Sequence, residues 1–202
     1  MRSVGSGAAE SGGRTWAKTA QTRQAILDAA REAFLEHGYE DASIADIVAS
    51  SGASVGSIYH HFGGKSELFI ALYLKHRKEY EDAVRVAVAA ARERDAVGAD
   101  LFLAGSRAYL ETAWERRAFA QLLLDDAGPP ALRALRSIRS QAWVRSNGTL
   151  LREWDTPVGR LRASVITNMI GTAARQVSAG CSASDAAAMI DEAVDLLRLL
   201  LR

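Results

Sequence analysis

Two features limit most tightly what this chain can fold into: no proline occurs before Pro129, and glycines divide the stretch ahead of it into helix-length pieces. No run alternates apolar and polar residues as a strand would, so the spacing predicts an all-α chain. A first helix is predicted over about 21–37, with Ile26, Ala30, Ala33 and Phe34 on one face, and Gly38 as its left-handed stop. Ser43 opens a short helix, and Asp46 three residues on completes an S-x-x-D capping box. Gly52 ends that helix, Ser54 caps the next, and Gly63-Gly64 closes it. A long helix follows from Lys65 to about Arg94, striped by Phe69, Leu72, Tyr73, Tyr80, Ala83, Ala87 and Ala90. At ~1.5 Å per residue it spans on the order of 40 Å. Further helices are predicted over about 97–114, 117–125, 131–154, 157–179 and 184–201. Pro129-Pro130 separates two of them, and Thr156-Pro157 reads as an N-cap with proline at the first helical position.

The domain reading follows from this punctuation. Residues 1–18, rich in Gly and Ser and carrying Arg2, Arg14 and Lys18, read as a flexible arm. Residues 19–64 form a three-helix unit, and residues 65–202 a larger helical domain. Hydrophobic residues make up 49% and charged residues 24%, the balance of an ordinary globular protein. Nowhere do 18 apolar residues run together, and the first residues lack the apolar core of a signal peptide, so neither a membrane span nor a leader is expected. The single cysteine, Cys181, cannot pair internally, which fits a reducing cytoplasm.

Three short helices broken by glycine suggest a helix-turn-helix, whose second helix enters the DNA major groove. On the wheel of residues 55–62, Ile58 and Phe62 share the face that packs on the first helix. Gly56 and His60 lie opposite, flanked by Ser57 and Tyr59. A small residue, a hydroxyl, a phenol and an imidazole suit contacts with bases and phosphates. The formal net charge of +1 does not itself indicate nucleic acid. Locally, though, no carboxylate lies between Ile47 and Ser66, while His60, His61 and Lys65 do. A surface that faces phosphates must exclude carboxylates.

The run Ser43-Ile44-Ala45-Asp46-Ile47, then Gly52 through Phe62 and on to Lys65-Ser66-Glu67-Leu68, closely resembles the N-terminal signature of the TetR (tetracycline repressor) family, as does the stretch from Thr22 to Tyr39. The resemblance covers about residues 20–70; beyond them only the helical layout is similar. It implies a DNA-binding domain followed by helices that bind a ligand and dimerise. It further implies that Ser43 caps the second helix and touches a phosphate, and that Val55, Gly56 and Ser57 stand at the base-reading start of the recognition helix, with the capping Ser54 also among the DNA-binding residues. Tyr59, His60 and His61 match aromatics that contact phosphates and the groove, and Lys65 a phosphate-binding lysine. Two positions depart from the pattern: Val55 where a polar or basic residue is common, and Gly64 where a serine often caps the next helix. Val55 can still meet a thymine methyl.

For the C-terminal domain the residues say less. Phe102, Tyr109, Trp114, Phe119 and Trp143 are candidates to line a ligand cavity, with Trp154 beside them. Aromatics at helical spacing serve more often as plain core, and both readings stand. The charges Asp125, Asp126, Arg139 and Arg145 are expected to face water, and few charges are expected inside, so an apolar or aromatic effector is expected. The helices at 157–179 and 184–201 each carry two apolar stripes. On the first, Leu161, Val165, Met169 and Ala173 run beside Ile166, Ile170, Ala174 and Val177. This excess predicts a homodimer interface formed by Ile166, Ile170, Gly171, Ala174, Ile190, Val194, Leu197 and Leu201.

No HExxH, P-loop, GxSxG or metal-spaced Cys/His set is present, so no catalytic residue, metal or cofactor is expected. The sequence thus predicts a homodimeric regulator of double-stranded DNA, released from a palindromic operator by an unknown small effector. The alternative it leaves open is a DNA-binding regulator governed by a protein partner or by its own abundance.

Overall fold

The computed structural model describes residues 7–124, 128–151 and 155–201, and among them every regular element is helical. In chain order these are α1 (Gly7–Asp41), α2 (Ile44–Ser51), α3 (Val55–Phe62), α4 (Lys65–Arg92), α5 (Ala99–Glu115), α6 (Arg117–Leu124), α7 (Pro130–Leu150), α8 (Pro157–Ser178) and α9 (Ala183–Leu200). The all-α fold expected from the glycine punctuation is therefore the observed one. Contacts divide the chain into two compact units, Met1–Leu72 and Tyr73–Arg202, so α4 begins in the first and continues in the second.

In the first unit, Ile26, Ala30 and Phe34 of α1 are fully buried with Ile47 of α2, Ile58 of α3 and Leu68 and Phe69 of α4. The Phe69 ring meets Phe34 edge-on at 5.0 Å and Tyr39 at 4.9 Å. These contacts carry the unit to Leu72, past the end expected at residue 64, because the first two turns of α4 supply part of its core. Helix α1 also starts at Gly7 rather than near residue 21, so most of the expected arm is helical; residues 1–6 lie outside the described residues. Once a stable helix exists, each further residue adds a hydrogen bond without a new nucleation cost. Gly38 interrupts α1 with φ 74° and ψ 178°, a positive-φ backbone with extended ψ rather than the left-handed helical stop expected.

In the second unit, α5, α8 and α9 share a core in which Leu110, Ile166, Val177 and Leu197 are fully buried. Buried polar groups tie the helices together. Asn147 Nδ2 donates to Thr167 Oγ1 at 2.9 Å, joining α7 to α8. Ser178 Oγ donates to the Ala113 carbonyl at 3.1 Å, joining α8 to α5. Thr156 caps α8 ahead of Pro157, accepting from Gly159 N at 2.9 Å, as its sequence signature predicts.

Candidate nucleic-acid interface and cavity

Helices α2 and α3 are joined by Gly52, Ala53 and Ser54 alone. Gly52 makes this tight link possible: at φ 66° and ψ 7° it is left-handed, and its N–H donates to the Val48 carbonyl at 3.1 Å. Both helices are capped by serine. Ser43 Oγ accepts from Asp46 N at 3.2 Å, while Ser43 N and Oγ donate to Asp46 Oδ2 at 3.1 and 2.6 Å, completing the capping box. These bonds hold the Asp46 carboxyl below its ordinary range. Ser54 Oγ accepts from Ser57 N at 3.1 Å at the start of α3.

Packing then decides which face of α3 is free. Ile58 points into the unit and is fully buried. Phe62 is half-buried beneath the Arg23 guanidinium of α1, 4.7 Å from its ring centroid. The opposite face is open: Val55 is 51% and Tyr59 55% exposed, with Gly56 and His60 exposed beside them. A Cβ at Gly56 would meet nothing closer than Ser54 Oγ at 3.9 Å, so the fold itself does not require glycine there. Ser57 and His61 are half-buried on the flanks.

Lys65 is less free than the sequence suggests. It is half-buried, its Nζ donates to the Glu40 carbonyl at 2.7 Å, and it lies 4.9 Å from the Tyr39 ring centroid. Two of its three donors are uncommitted in that arrangement. At Gly64, where the expected serine cap is missing, the carbonyl accepts from Leu68 N at 3.0 Å, and φ of 156° suits glycine.

The second unit contains a cavity of about 300 Å³. Tyr109 and Trp143, two of the five aromatics expected there, line it, together with Tyr73 and Tyr80. The Tyr109 and Trp143 rings stack, centroids 4.8 Å apart and 29° from parallel. Phe102 instead lines a smaller void of about 50 Å³ that shares Tyr109 and Trp143. Phe119 is buried against His76, centroids 5.4 Å apart, and Trp114 lies under Arg117 at 3.9 Å; neither is among the residues lining the cavity. Trp154, Asp125 and Asp126 lie outside the described residues. Arg145 is exposed as expected. Arg139 is not simply solvated: with Arg77, Arg136 and Arg175 it lines the cavity, which makes the walls more polar than the sequence led us to expect. No signal in the linear sequence brings these four together, since they sit on α4, α7 and α8.

The expected interface residues meet a clear correction. Ile166, Ile170, Ala174, Ile190, Val194 and Leu197 are between 0% and 9% exposed within the single chain, and belong to its own core. Leu201 packs half-buried against that core, and Gly171 is half-buried on the cavity wall. The surface instead carries the other stripe: Val158, Leu161 and Val165 of α8, and Leu196, Leu199 and Leu200 of α9.

Among the described residues no group of three or more His, Cys, Asp or Glu is placed to hold a metal ion, and no helix is long and apolar enough to cross a membrane.

Two short serine-capped helices joined through a left-handed glycine, with one face of the second left open, define a helix-turn-helix protein. Residues 26–72 match the family described as bacterial regulatory proteins, tetR family, which makes the helix-turn-helix unit a TetR-type domain. It is 46% identical over 70 residues to the HTH-type transcriptional repressor AcnR of Corynebacterium efficiens, covering 35% of this chain and 34% of that protein. It is 42% identical over 74 residues to the HTH-type transcriptional repressor Rv1474c of Mycobacterium tuberculosis, covering 37% and 36%. The aligned part of the chain thus spans about a third of the length of these relatives. The similarity in fold extends further. A TetR-family regulator from Pectobacterium atrosepticum superposes with a TM-score of 0.60 at 27% identity, over 92% of this chain and 95% of that one. A TetR-like regulator from Rhodococcus sp. RHA1 gives 0.65 at 22% identity, over 89% and 93%.

Proposed function

We propose that this chain is a sequence-specific DNA-binding repressor of transcription, not an enzyme, and that it works as a homodimer released from a palindromic operator by a small effector. The open face of α3 carries the reading: Val55, Gly56, Tyr59 and His60 are exposed where the packing of Ile58 fixes their direction. Such a face delivers apolar, phenolic and imidazole groups to base edges and phosphates, and Gly56 lets the helix backbone come close. Relatives named as transcriptional repressors, matched over this same domain, support it. Ser43 and Ser54, whose hydroxyls cap α2 and α3, would present the ends of these helices to phosphates, with Ser57 beside them. Lys65 and His61 would add backbone contacts.

One helix-turn-helix reads only a few base pairs, so two, about 34–36 Å apart on a two-fold axis, are needed for an operator of useful length. The exposed stripes of α8 and α9 are the surface suited to that pairing. The cavity supports control by a small molecule over control by abundance or a protein partner alone, since a close-packed second unit would have offered an effector no room.

Gel-shift titration tests the DNA reading. Lys65→Ala should weaken binding to all duplexes and flatten the dependence of affinity on salt, whereas Ser57→Ala should act mainly on the preferred sequence. If both variants bound like the parent chain, α3 would not be the recognition helix.

A further inference from the structure

The effector reading leaves the chemistry of the effector open, and the cavity wall bears on it directly. Arg77, Arg136, Arg139 and Arg175 all line the cavity, and no Asp or Glu is among the described lining residues. Three of the four have partners in the protein. Arg139 pairs with Glu81 at 3.3 Å, Arg136 donates to the Leu123 carbonyl, and Arg175 donates to Thr172 Oγ1 at 2.8 Å. Arg77 is different. Its Nε is buried and meets no acceptor among the described residues, and its Nη1 makes only a long 3.4 Å contact with the Tyr109 hydroxyl. The guanidinium lies 5.9 Å from the Trp143 ring centroid.

A buried guanidinium nitrogen without an acceptor costs free energy that a matching anion recovers. A carboxylate offers two oxygens that fit the fork of one guanidinium, and a cation would be repelled by the arginines. Aromatic rings form another part of the wall: Tyr80 and Tyr109 lie 4.8 Å apart, tilted by 59°, and Tyr109 stacks on Trp143. Burial pushes the Tyr80 and Tyr109 hydroxyls up in pKa, so both stay neutral and add no competing negative charge. We propose that the cavity receives a small organic anion with a flat aromatic body, its carboxylate held by Arg77 and its ring against Tyr109 and Trp143. This rests on reading the cavity as the effector site, and it revises the expectation of a purely apolar ligand.

The test uses the full chain and matched probes: benzoate, cinnamate and 2-naphthoate, each beside its uncharged carboxamide. Thermal melts and tryptophan-emission titrations should show the acids binding about tenfold or more tightly than the amides, as a charge-assisted bidentate pair implies. Arg77→Gln should remove that preference while leaving the amides unchanged. Arg175→Gln, at the exposed side of the wall, should reduce it by a smaller factor and guards against a variant that misfolds. Equal binding of acids and amides, or full retention of acid binding by Arg77→Gln, would overturn the anion assignment and leave the effector reading in place. If neither acids nor amides shifted the melt or the emission, both would fall.

Discussion

Ser43 and Asp46 show how one pair of side chains can serve both fold and surface. Their reciprocal bonds satisfy the first free N–H groups of α2 and fix where that helix begins. Ser43→Ala should therefore lower stability by about 1 kcal/mol, measurable in urea melts. Because the Asp46 carboxyl is held below its ordinary value, its contribution is present above the unfolded pKa and is lost as pH falls through the lowered one. The stability gap between the parent and Asp46→Ala should accordingly close in acid; a gap that widened there would contradict the capping account. Gly56 makes the opposite case. Its place on α3 is open and helical, so Gly56→Ala should raise stability by roughly 0.5–1 kcal/mol while weakening DNA binding. A change that stabilises the protein and harms binding would mark the residue as kept for the partner. At this scale the sequence was highly legible, because caps and glycine joints are local chemistry: the Ser43 box, the Gly52 turn and the Thr156-Pro157 start all stand where their spacing puts them.

Among elements, legibility depended on whether one face or two were apolar. α3 has a single buried side, so Ile58 oriented the whole helix. α8 and α9 have two, and periodicity alone does not say which turns inward. The structure turns Ile166, Ile170 and Leu197 into the core and leaves Leu161, Val165 and Leu199 in solvent. The two sets therefore behave differently on substitution. Leu161→Glu should leave the monomer folded and shift the chain from dimer to monomer in analytical ultracentrifugation, since it adds charge only to the exposed stripe. Ile170→Glu should instead unfold the second unit, because it buries an unpaired charge, at a cost of several kcal/mol. A Leu161→Glu protein that remained dimeric would place the pairing surface elsewhere. The cavity was less legible for a related reason. Its arginines lie on three helices, each ordinary on its own amphipathic surface, and only tertiary packing gathers them.

At the level of the whole molecule, the proposed function needs a DNA-reading unit and an effector-binding one, and α4 contributes residues to both. Effector release requires the ligand to favour the conformation that binds DNA poorly; a roughly 100-fold preference corresponds to about 2.7 kcal/mol of coupling, and DNA must then weaken the ligand by the same factor. All of this depends on α3 reading DNA. The most direct test is fluorescence anisotropy with a duplex selected by the full chain from a random library, titrated against a scrambled duplex of equal length at several salt concentrations. The account predicts clear preference for the selected duplex. It further predicts that Tyr59→Ala combined with His60→Ala removes this preference, leaving the circular dichroism spectrum unchanged. Equal affinity of the parent chain for both duplexes, or undiminished preference in the double variant, would contradict it.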